Sequence, residues 1–343
     1  MQRKILLINL GGPRTSDEIE KFLLDLFRDP LVFDLPLPEN FRYKLGSFIA
    51  KKRAPKVRKV YEMLHFGGGS PLVQETEKQA KALVDSLKSS TLEEWEGRVA
   101  MTCGFPDLRE FSRDELSPSS SNVILPLFPH YSRSTTLSTA KIIESITGKS
   151  PLNKKGWINP FSHRNKYVLA CKQIIKDYFE GKLQTEFLSP DRDLSLPVEN
   201  WKTITLLFSA HGIPMRLIQK GDTYKRDIEE HANRILFQLR QEGFLGEVFL
   251  SFQSRVGPAK WTEPSTIDTL KNLGSKGHKR VAVVPISFVS DHLETLIEIG
   301  EELKELALKN GVKEYYRIPA FGIYPPFIEF LKELILENIK EGE

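Results

Sequence analysis

The chain has 343 residues, of which 40% are hydrophobic and 27% charged, and its formal net charge is +4. This length favours two domains, because one hydrophobic core rarely serves so many residues, and the small dispersed charge disfavours nucleic acid as the main partner. The two cysteines, Cys103 and Cys171, form no CxxC pair, which argues against a disulfide framework and against cysteine-bound zinc or iron–sulfur clusters.

Short apolar strands and amphipathic helices alternate along the chain from its start. The predicted strands cover residues 4–10, 98–103, 122–128, 203–209, 247–252 and 280–287. The predicted helices cover residues 16–27, 75–90, 136–146, 165–179, 227–241, 290–303 and the closing stretch from 326. Strands that are almost wholly apolar and alternate with helices indicate parallel sheets covered on both faces. The sequence therefore predicts an α/β protein.

The predicted domain boundary lies in the Gly-, Lys- and Pro-containing stretch TGKSPLNKKGWINP, residues 147–160. We expect an N-terminal domain over 1–155 and a C-terminal domain over 156–324. The closing helix, about 325–343, is a candidate to pack back onto the first domain. The segment 183–200 is predicted to be a surface insertion in the second half.

Two pairs of similar segments suggest that the halves share one plan. ILLINLGGP (5–13) resembles TLLFSAHGIP (205–214), and VILPLFPHYSRSTT (123–136) resembles VAVVPISFVSDHLET (281–295). Ligands of open α/β sheets bind outside the carboxyl ends of the strands, where all four of these turns are expected. If the halves face each other, the residues that converge on one cleft are Gly11, Gly12, Tyr131, Ser132, His211, Asp291, His292 and Glu294.

The stretch SDHLETLIEIGEEL, residues 290–303, is unusually acidic. On a regular helix Glu294, Glu298 and Glu302 form one stripe together with Asp291, opposite an apolar face. Spacing alone favours the solvated face of an amphipathic surface helix. The alternative, a functional row of carboxylates, stays open at this point.

Two short motifs resemble known binding sites but lack required residues, whereas His211 is a candidate for chemistry. LGGP lacks the later glycines of a dinucleotide fingerprint, TGKS lacks the first glycine of a P-loop, and no HExxH zinc helix occurs. His211 ends the very apolar run TITLLFSAH just before Gly212. A turn histidine at the carboxyl end of a strand is well placed for chemistry.

Three segments in this order resemble the ferrochelatase family, whose members insert Fe²⁺ into a porphyrin late in haem synthesis. They are LLFSAHGIP, SFQSRVGPAKWTEPST (251–266) and PISFVSDHLETLIEI (285–299). LLINLGGP, FIAKKRAPKV (48–57), GGGSP (67–71) and YSRSTT (131–136) match the N-terminal half of the family. The resemblance spans about residues 4–325. It implies two Rossmann-like domains, each a parallel sheet flanked by helices, with a porphyrin cleft between them.

The resemblance also implies roles for individual residues. His211 and Glu294 are the expected catalytic pair and metal ligands, and which of the two accepts protons stays open. Glu298 and Glu302 are expected to be transit ligands for the metal, on a helix with a π-type widening. The residues expected to bind porphyrin are Leu10, Arg53, Tyr61, Ser70, Tyr131, Ser132, Trp261, Phe288 and His292.

Departures from the family pattern narrow the expected substrate and cofactors. The branch that metallates coproporphyrin tends to have Tyr where this chain has Leu10, which favours protoporphyrin IX. The alternatives are a coproporphyrin III ferrochelatase and a non-catalytic porphyrin or haem carrier. The C-terminal cysteines that bind an iron–sulfur cluster in animal members are missing. We therefore expect no cluster and no tightly bound cofactor, with Fe²⁺ and porphyrin as small-molecule substrates.

The location expected from the sequence is the cytoplasm. The chain opens directly into a strand without the layout of a signal peptide, and no apolar run approaches the ~18 residues of a membrane span. An apolar segment (30–38) precedes a basic run that includes Lys51, Lys52 and Arg53. Residues 30–48 are therefore a candidate peripheral membrane contact, with a buried loop as the alternative for the apolar part. The oligomeric state cannot be read from the sequence.

Overall fold

The computed structural model describes residues 2–33, 38–64, 66–184, 197–255, 257 and 259–340. The chain divides into two compact units, Met1–Pro160 together with Ile328–Glu343, and Phe161–Phe327. Most of the predicted surface insertion, residues 185–196, lies outside the described residues, as does part of the apolar segment, residues 34–37. Among the described residues, no helix is both long and apolar enough to cross a membrane.

The first unit is built on a parallel sheet with the strand order β2-β1-β3. The strands are β1 (Gln2–Asn9), β2 (Glu94–Met101) and β3 (Asn122–Pro126). The helices are α1 (Ile19–Arg28), α2 (Glu39–Glu62), α3 (Leu72–Ser90) and α4 (Ser138–Thr147), with a short π-helix, π1 (Arg133–Leu137), directly before α4. Most of α10 (Pro325–Lys340) belongs to this unit. β1 is central and its last five residues are buried, as its continuous apolar run requires.

The second unit holds a four-stranded parallel sheet with the order β5-β4-β6-β7. The strands are β4 (Thr205–His211), β5 (Val248–Gln253), β6 (Arg280–Val284) and β7 (Glu314–Arg317). The helices are α5 (Asn165–Phe179), α6 (Met215–Gln219), α7 (Tyr224–Gln241), α8 (Thr266–Ser275) and α9 (Leu303–Lys309). A second π-helix, π2 (Glu294–Glu302), runs directly into α9. Six of the seven residues of β4 are buried, which fixes where this strand ends and its turn begins.

The predicted α/β class is confirmed, and every predicted strand is present within a few residues. The sequence missed β7, which is only four residues long and mostly polar. It also missed α2, which contains Pro55 and carries exposed aromatic side chains, so that its apolar residues show little helical periodicity. The short helix α6 and the helix α8 were missed as well.

Candidate active site

His211 is the last residue of β4, and its ring is oriented by the turn that follows. Its Nδ1 lies 2.6 Å from the carbonyl oxygen of Gly212, and its backbone N–H donates to Ser287 Oγ at 3.0 Å. A carbonyl oxygen only accepts, so Nδ1 carries the proton of the neutral ring. Nε2 of this half-buried imidazole therefore keeps the lone pair that can take a proton or bind a metal.

Gly212 allows this turn to pack closely on its neighbours. A Cβ at this position would lie 2.8 Å from the carbonyl oxygen of Gln253 and 3.3 Å from the ring of Trp261. The half-buried Trp261 also pairs with Pro214 through an isolated antiparallel β-bridge of the backbone. Gly212, Gln253 and Trp261 line a cavity of about 420 Å³ within the second unit, beside the end of β4. The predicted pocket aromatic thus lies next to the turn that holds His211.

An aromatic ring separates the two histidines of this site. The ring of Phe288 lies 6.4 Å from that of His211 in an edge-on arrangement, and 4.7 Å from that of His292, measured between centroids. All three rings are half-buried. The turn after β6 therefore brings Phe288 and His292, both predicted from the sequence, beside the residue that ends β4.

His292 and Glu294 form an ion pair at the start of π2. His292 Nε2 lies 2.7 Å from Glu294 Oε2, and His292 Nδ1 lies 3.0 Å from the carbonyl oxygen of Ser290. Both ring nitrogens thus face acceptors, as in an imidazolium. Burial alone would lower the pKa of His292, but the carboxylate of Glu294 raises it above its usual value. Burial would likewise raise the pKa of Glu294, but the charge and hydrogen bond of His292, with a smaller contribution from the nearby His211, lower it to about 2.

Glu298 is held by the residues that follow β5. Its carboxylate accepts from the backbone N–H of Ser254 at 2.8 Å and from Ser254 Oγ at 2.5 Å. Gln253 Nε2 lies 3.4 Å from the same carboxylate. Burial and the nearby charge of Glu294 raise the pKa of Glu298, against the lowering effect of the Ser254 hydrogen bonds. Ser254 has a φ of 64°, in the left-handed region that few residues other than glycine adopt.

The acidic stripe is divided by burial. Glu294 and Glu298 are half-buried, whereas Glu301 and Glu302 are exposed. Asp291, which regular helical spacing places in the same stripe, is instead 2% exposed and paired with Arg317 at 2.8 Å. The prediction that Asp291 joins the stripe was wrong because π2 begins only at Glu294, so that Asp291 lies in the turn before it. The expected π-type widening is present.

The residues predicted from the N-terminal half lie in the first unit. Tyr61 and Ser70 are buried beside Gly12, where a Cβ would lie 2.7 Å from Ser70 Cβ and 3.9 Å from Tyr61 Oη. Leu10 is half-buried two residues earlier, and its N–H donates to Asn9 Oδ1 at 2.9 Å.

The remaining N-terminal candidates lie further along the first unit. Ser132 is buried and is the N-cap of π1, where its hydroxyl accepts from the N–H of Ser134 at 3.3 Å. It follows the half-buried Tyr131. Arg53 is half-buried on α2. Over the described part of the chain, no three His, Cys, Asp or Glu side chains converge closely enough to hold a metal ion.

Sequence reasoning missed four residues that contact the acidic segment, namely Gln253, Ser254, Tyr315 and Arg317. Gln253 and Ser254 lie in the motif SFQSRVGP, which the family resemblance includes and which could have indicated them as site residues. Tyr315 and Arg317 lie on β7, which was not predicted, so no local pattern points to them.

The sequence model of the ferrochelatase family matches residues 2–339. The chain belongs to the ferrochelatase family. It is therefore a metal chelatase that inserts Fe²⁺ into a porphyrin in haem synthesis. This conclusion accounts for an imidazole and carboxylates that lie at or after strand ends, in a chain with two buried cysteines.

Individual relatives extend this result over the full length. A ferrochelatase of Leptospira borgpetersenii serovar Hardjo-bovis is 55% identical, with 100% of this chain and 93% of the relative covered. A ferrochelatase of Leptospira biflexa is 50% identical, with 98% and 92% covered. Ferrochelatase-1, chloroplastic/mitochondrial, of Arabidopsis thaliana is 36% identical, with 99% and 70% covered.

A solved structure supports the fold alone. The chain is similar to SirB from Bacillus subtilis with Fe³⁺, at 14% identity and a TM-score of 0.52, with 99% of this chain and 96% of that chain covered. At this identity the likeness indicates a common fold and carries no residue roles.

Proposed function

We propose that this ferrochelatase converts protoporphyrin IX and Fe²⁺ to protohaem with the release of two protons, and that His211 and Glu294 are its catalytic pair. The observation that carries this proposal is that a basic imidazole, His211, lies near an ionised carboxylate, Glu294. His211 keeps a lone pair on Nε2, and it lies close enough to influence Glu294, a carboxylate that stays ionised at neutral pH.

The division of labour follows from these two states. Metallation must remove two protons from pyrrole nitrogens, and a neutral imidazole is a suitable general base near neutral pH. A carboxylate with a pKa of about 2 is a poor base but a good oxygen ligand for Fe²⁺. We therefore assign proton acceptance to His211 Nε2 and transient binding of Fe²⁺ to Glu294, with His211 able to complete the ligand set.

Glu298 and Glu302 are proposed as transit ligands that lead Fe²⁺ toward Glu294. Exposure rises along the row, from the half-buried Glu294 and Glu298 to the exposed Glu302. Carboxylates hold Fe²⁺ less tightly than thiolates hold softer metals, which suits an enzyme that passes its metal on.

Porphyrin binding is proposed for residues of both units. In the second unit Trp261 packs beside the turn after His211, and Phe288 and His292 lie in the turn before Glu294. In the first unit the proposed residues are Leu10, Arg53, Tyr61, Ser70, Tyr131 and Ser132. Leu10 supports protoporphyrin IX over coproporphyrin III, which is the alternative substrate.

We further propose that the enzyme carries no iron–sulfur cluster and works in the cytoplasm with a peripheral membrane contact through residues 30–48. Within this segment Phe41 and Phe48 are 67% and 65% exposed, and Lys44 is exposed between them. Exposed aromatic rings beside cations suit the interface of an anionic bilayer. Residues 34–37 of this segment lie outside the described structure.

An anaerobic metallation assay tests the proposed function. Purified protein is mixed with Fe²⁺ and either protoporphyrin IX or coproporphyrin III, and the loss of free-base porphyrin fluorescence is followed. We expect catalysed metallation with a higher kcat/KM for protoporphyrin IX. A higher kcat/KM for coproporphyrin III would support the alternative substrate, and binding of porphyrin without metallation would indicate a carrier.

A further inference from the structure

Strand β7 reaches the acidic segment through alternate side chains. Successive residues of a strand point to opposite faces, so Tyr315 and Arg317 share one face and Tyr316 takes the other. Tyr315 Oη donates to the carbonyl oxygen of Ile299 at 2.7 Å. Ile299 lies inside π2 and is fully buried, so this hydroxyl meets the π-helical backbone away from solvent.

Arg317 holds the other end of the same segment. Its Nη1 lies 2.8 Å from Asp291 Oδ1, with side-chain exposures of only 9% and 2%. The backbone N–H of Ala320 also donates to this carboxylate oxygen, at 3.3 Å. The arginine passes close to the backbone of π2, since a Cβ at Gly300 would be in ordinary van der Waals contact with Arg317 Cδ, at 3.4 Å. A buried ion pair of this kind is costly to break, because either charge alone would be left without compensation.

These two contacts bracket the residues that matter for the chemistry. Asp291 is the residue immediately before His292, and Ile299 is the residue immediately after Glu298. A π-helix is rare and depends on its surroundings, because its i→i+5 hydrogen bonds compete with the ordinary i→i+4 pattern. If π2 relaxed toward an α-helix, Glu298 would rotate about the helix axis relative to Glu294.

We propose that Tyr315 and Arg317 are positioning residues for metal delivery, which fix the turn at Asp291 and the π-helical backbone at Ile299, on either side of His292, Glu294 and Glu298. This inference rests on the proposed function, in which Glu294 and Glu298 receive Fe²⁺. Neither residue touches a substrate in this account; each acts through the backbone or the turn that carries the ligands. Their loss is therefore expected to alter the use of metal more than the use of porphyrin.

Tyr315→Phe is the sharpest test, because it removes one hydroxyl and keeps the ring. Its matched control is Tyr316→Phe on the same strand, whose hydroxyl contacts Glu314 and Arg280 on the opposite face. Initial rates are measured with Fe²⁺ varied at saturating porphyrin, and then with porphyrin varied at saturating Fe²⁺. We expect Tyr315→Phe to raise the KM for Fe²⁺ about two- to tenfold, the value of one hydrogen bond. The KM for porphyrin should not change, and Tyr316→Phe should change neither constant.

Arg317→Lys provides a second variant that retains the charge beside Asp291. It should raise the KM for Fe²⁺ in the same direction while leaving the KM for porphyrin unchanged, at a temperature where thermal unfolding shows the protein to be folded. If Tyr315→Phe lowers the melting temperature but leaves the KM for Fe²⁺ unchanged, the residue is merely structural and the inference is overturned. The inference is also overturned if Tyr315→Phe and Tyr316→Phe change the kinetics equally.

Glu294→Gln, measured in the same assay, separates the two proposals. Loss of turnover in Glu294→Gln together with an unchanged metal KM in Tyr315→Phe would overturn the positioning role alone. Normal turnover in Glu294→Gln would overturn the proposed catalytic pair, and the positioning inference with it.

Discussion

Each unit places a π-helix after a strand of its sheet, and the two π-helices carry different chemistry. In the first unit β3 leads through a short turn to π1 (Arg133–Leu137) and α4. In the second unit β6 leads through a similar turn to π2 (Glu294–Glu302) and α9. The two turns belong to the pair of similar segments that the sequence contains at 123–136 and 281–295.

The difference lies in the side chains. π1 spans five residues and starts with hydroxyl groups, since Ser132 Oγ lies 3.0 Å from Ser134 Oγ and accepts from its N–H. π2 spans nine residues and starts with the ion pair of His292 and Glu294, followed by Glu298. Both units thus begin a helix with a π-helical segment, and the proposed metal ligands lie only in π2. Function resides in the site and not in the fold that supports it.

The largest effect should come from removing the imidazole of His211, which lies beside the turn that leads into π2. We expect His211→Ala to lower kcat for Fe²⁺ insertion about 10²–10⁴-fold, the usual contribution of a general base. The fold should remain intact, because this ring is half-buried and lies at the end of its strand. Circular dichroism is the check on folding, and near-normal turnover in a folded variant would refute the role of His211.

The next effect tests the row of carboxylates within π2. Glu298→Gln should raise the KM for Fe²⁺ about tenfold, because this side chain is fixed by Ser254 close to Glu294. The exposed Glu302→Gln should change the same constant by no more than about twofold. Both follow from initial rates at varied Fe²⁺. A larger effect at Glu302 than at Glu298 would mean that the order of the row is wrong.

The ion pair of π2 should also make stability depend on pH. The pKa of Glu294 is lowered on folding, so its contribution is complete above 4.5 and fades as the pH falls from there toward about 2. The pKa of His292 is raised, so its contribution is complete below 6.5 and fades as the pH rises through the raised value.

The melting temperatures of the wild type and Glu294→Gln should therefore differ most between about pH 5 and pH 6 and approach each other on both sides. Thermal unfolding across this range measures the difference. A constant difference from about pH 3.5 to pH 8 would show that the ion pair does not contribute in this way.

The smallest effect on Fe²⁺ insertion is expected from a change at the start of π1. Ser132→Ala removes the hydroxyl that begins π1 and should lower the free energy of unfolding by about 1 kcal/mol, as for other helix caps. The KM for Fe²⁺ should stay unchanged, and any kinetic effect should fall on the KM for porphyrin. A rise in the KM for Fe²⁺ comparable to that of Glu298→Gln would contradict the claim that π2, and not π1, supplies the metal ligands.

The sequence predicted the strands and ends that support this site because those strands are almost wholly apolar. β4 had to be buried, so His211 had to lie at its exposed end, and α5 was predicted with its observed bounds, 165–179. Regular helical spacing could not separate Asp291 from the acidic stripe, because the position of a π-helix is decided by contacts with other elements. The expected widening came from the family resemblance instead.

Contacts between distant residues were also beyond local patterns. The hydrogen bonds from Ser254 to Glu298 depend on the left-handed backbone conformation of Ser254, directly after β5. The contacts of Tyr315 and Arg317 depend on β7, whose four residues are too few and too polar to be recognised as a strand.

The central claim is that Glu294 acts in the metallation step and not in porphyrin binding. The most direct measurement is a single turnover, in which wild type, Glu294→Gln and the exposed control Glu301→Gln are loaded with protoporphyrin IX and mixed anaerobically with Fe²⁺. The predicted result is equal porphyrin binding by all three, rapid loss of free-base fluorescence with wild type and Glu301→Gln, and almost none with Glu294→Gln. Metallation by Glu294→Gln at the wild-type rate would contradict the claim.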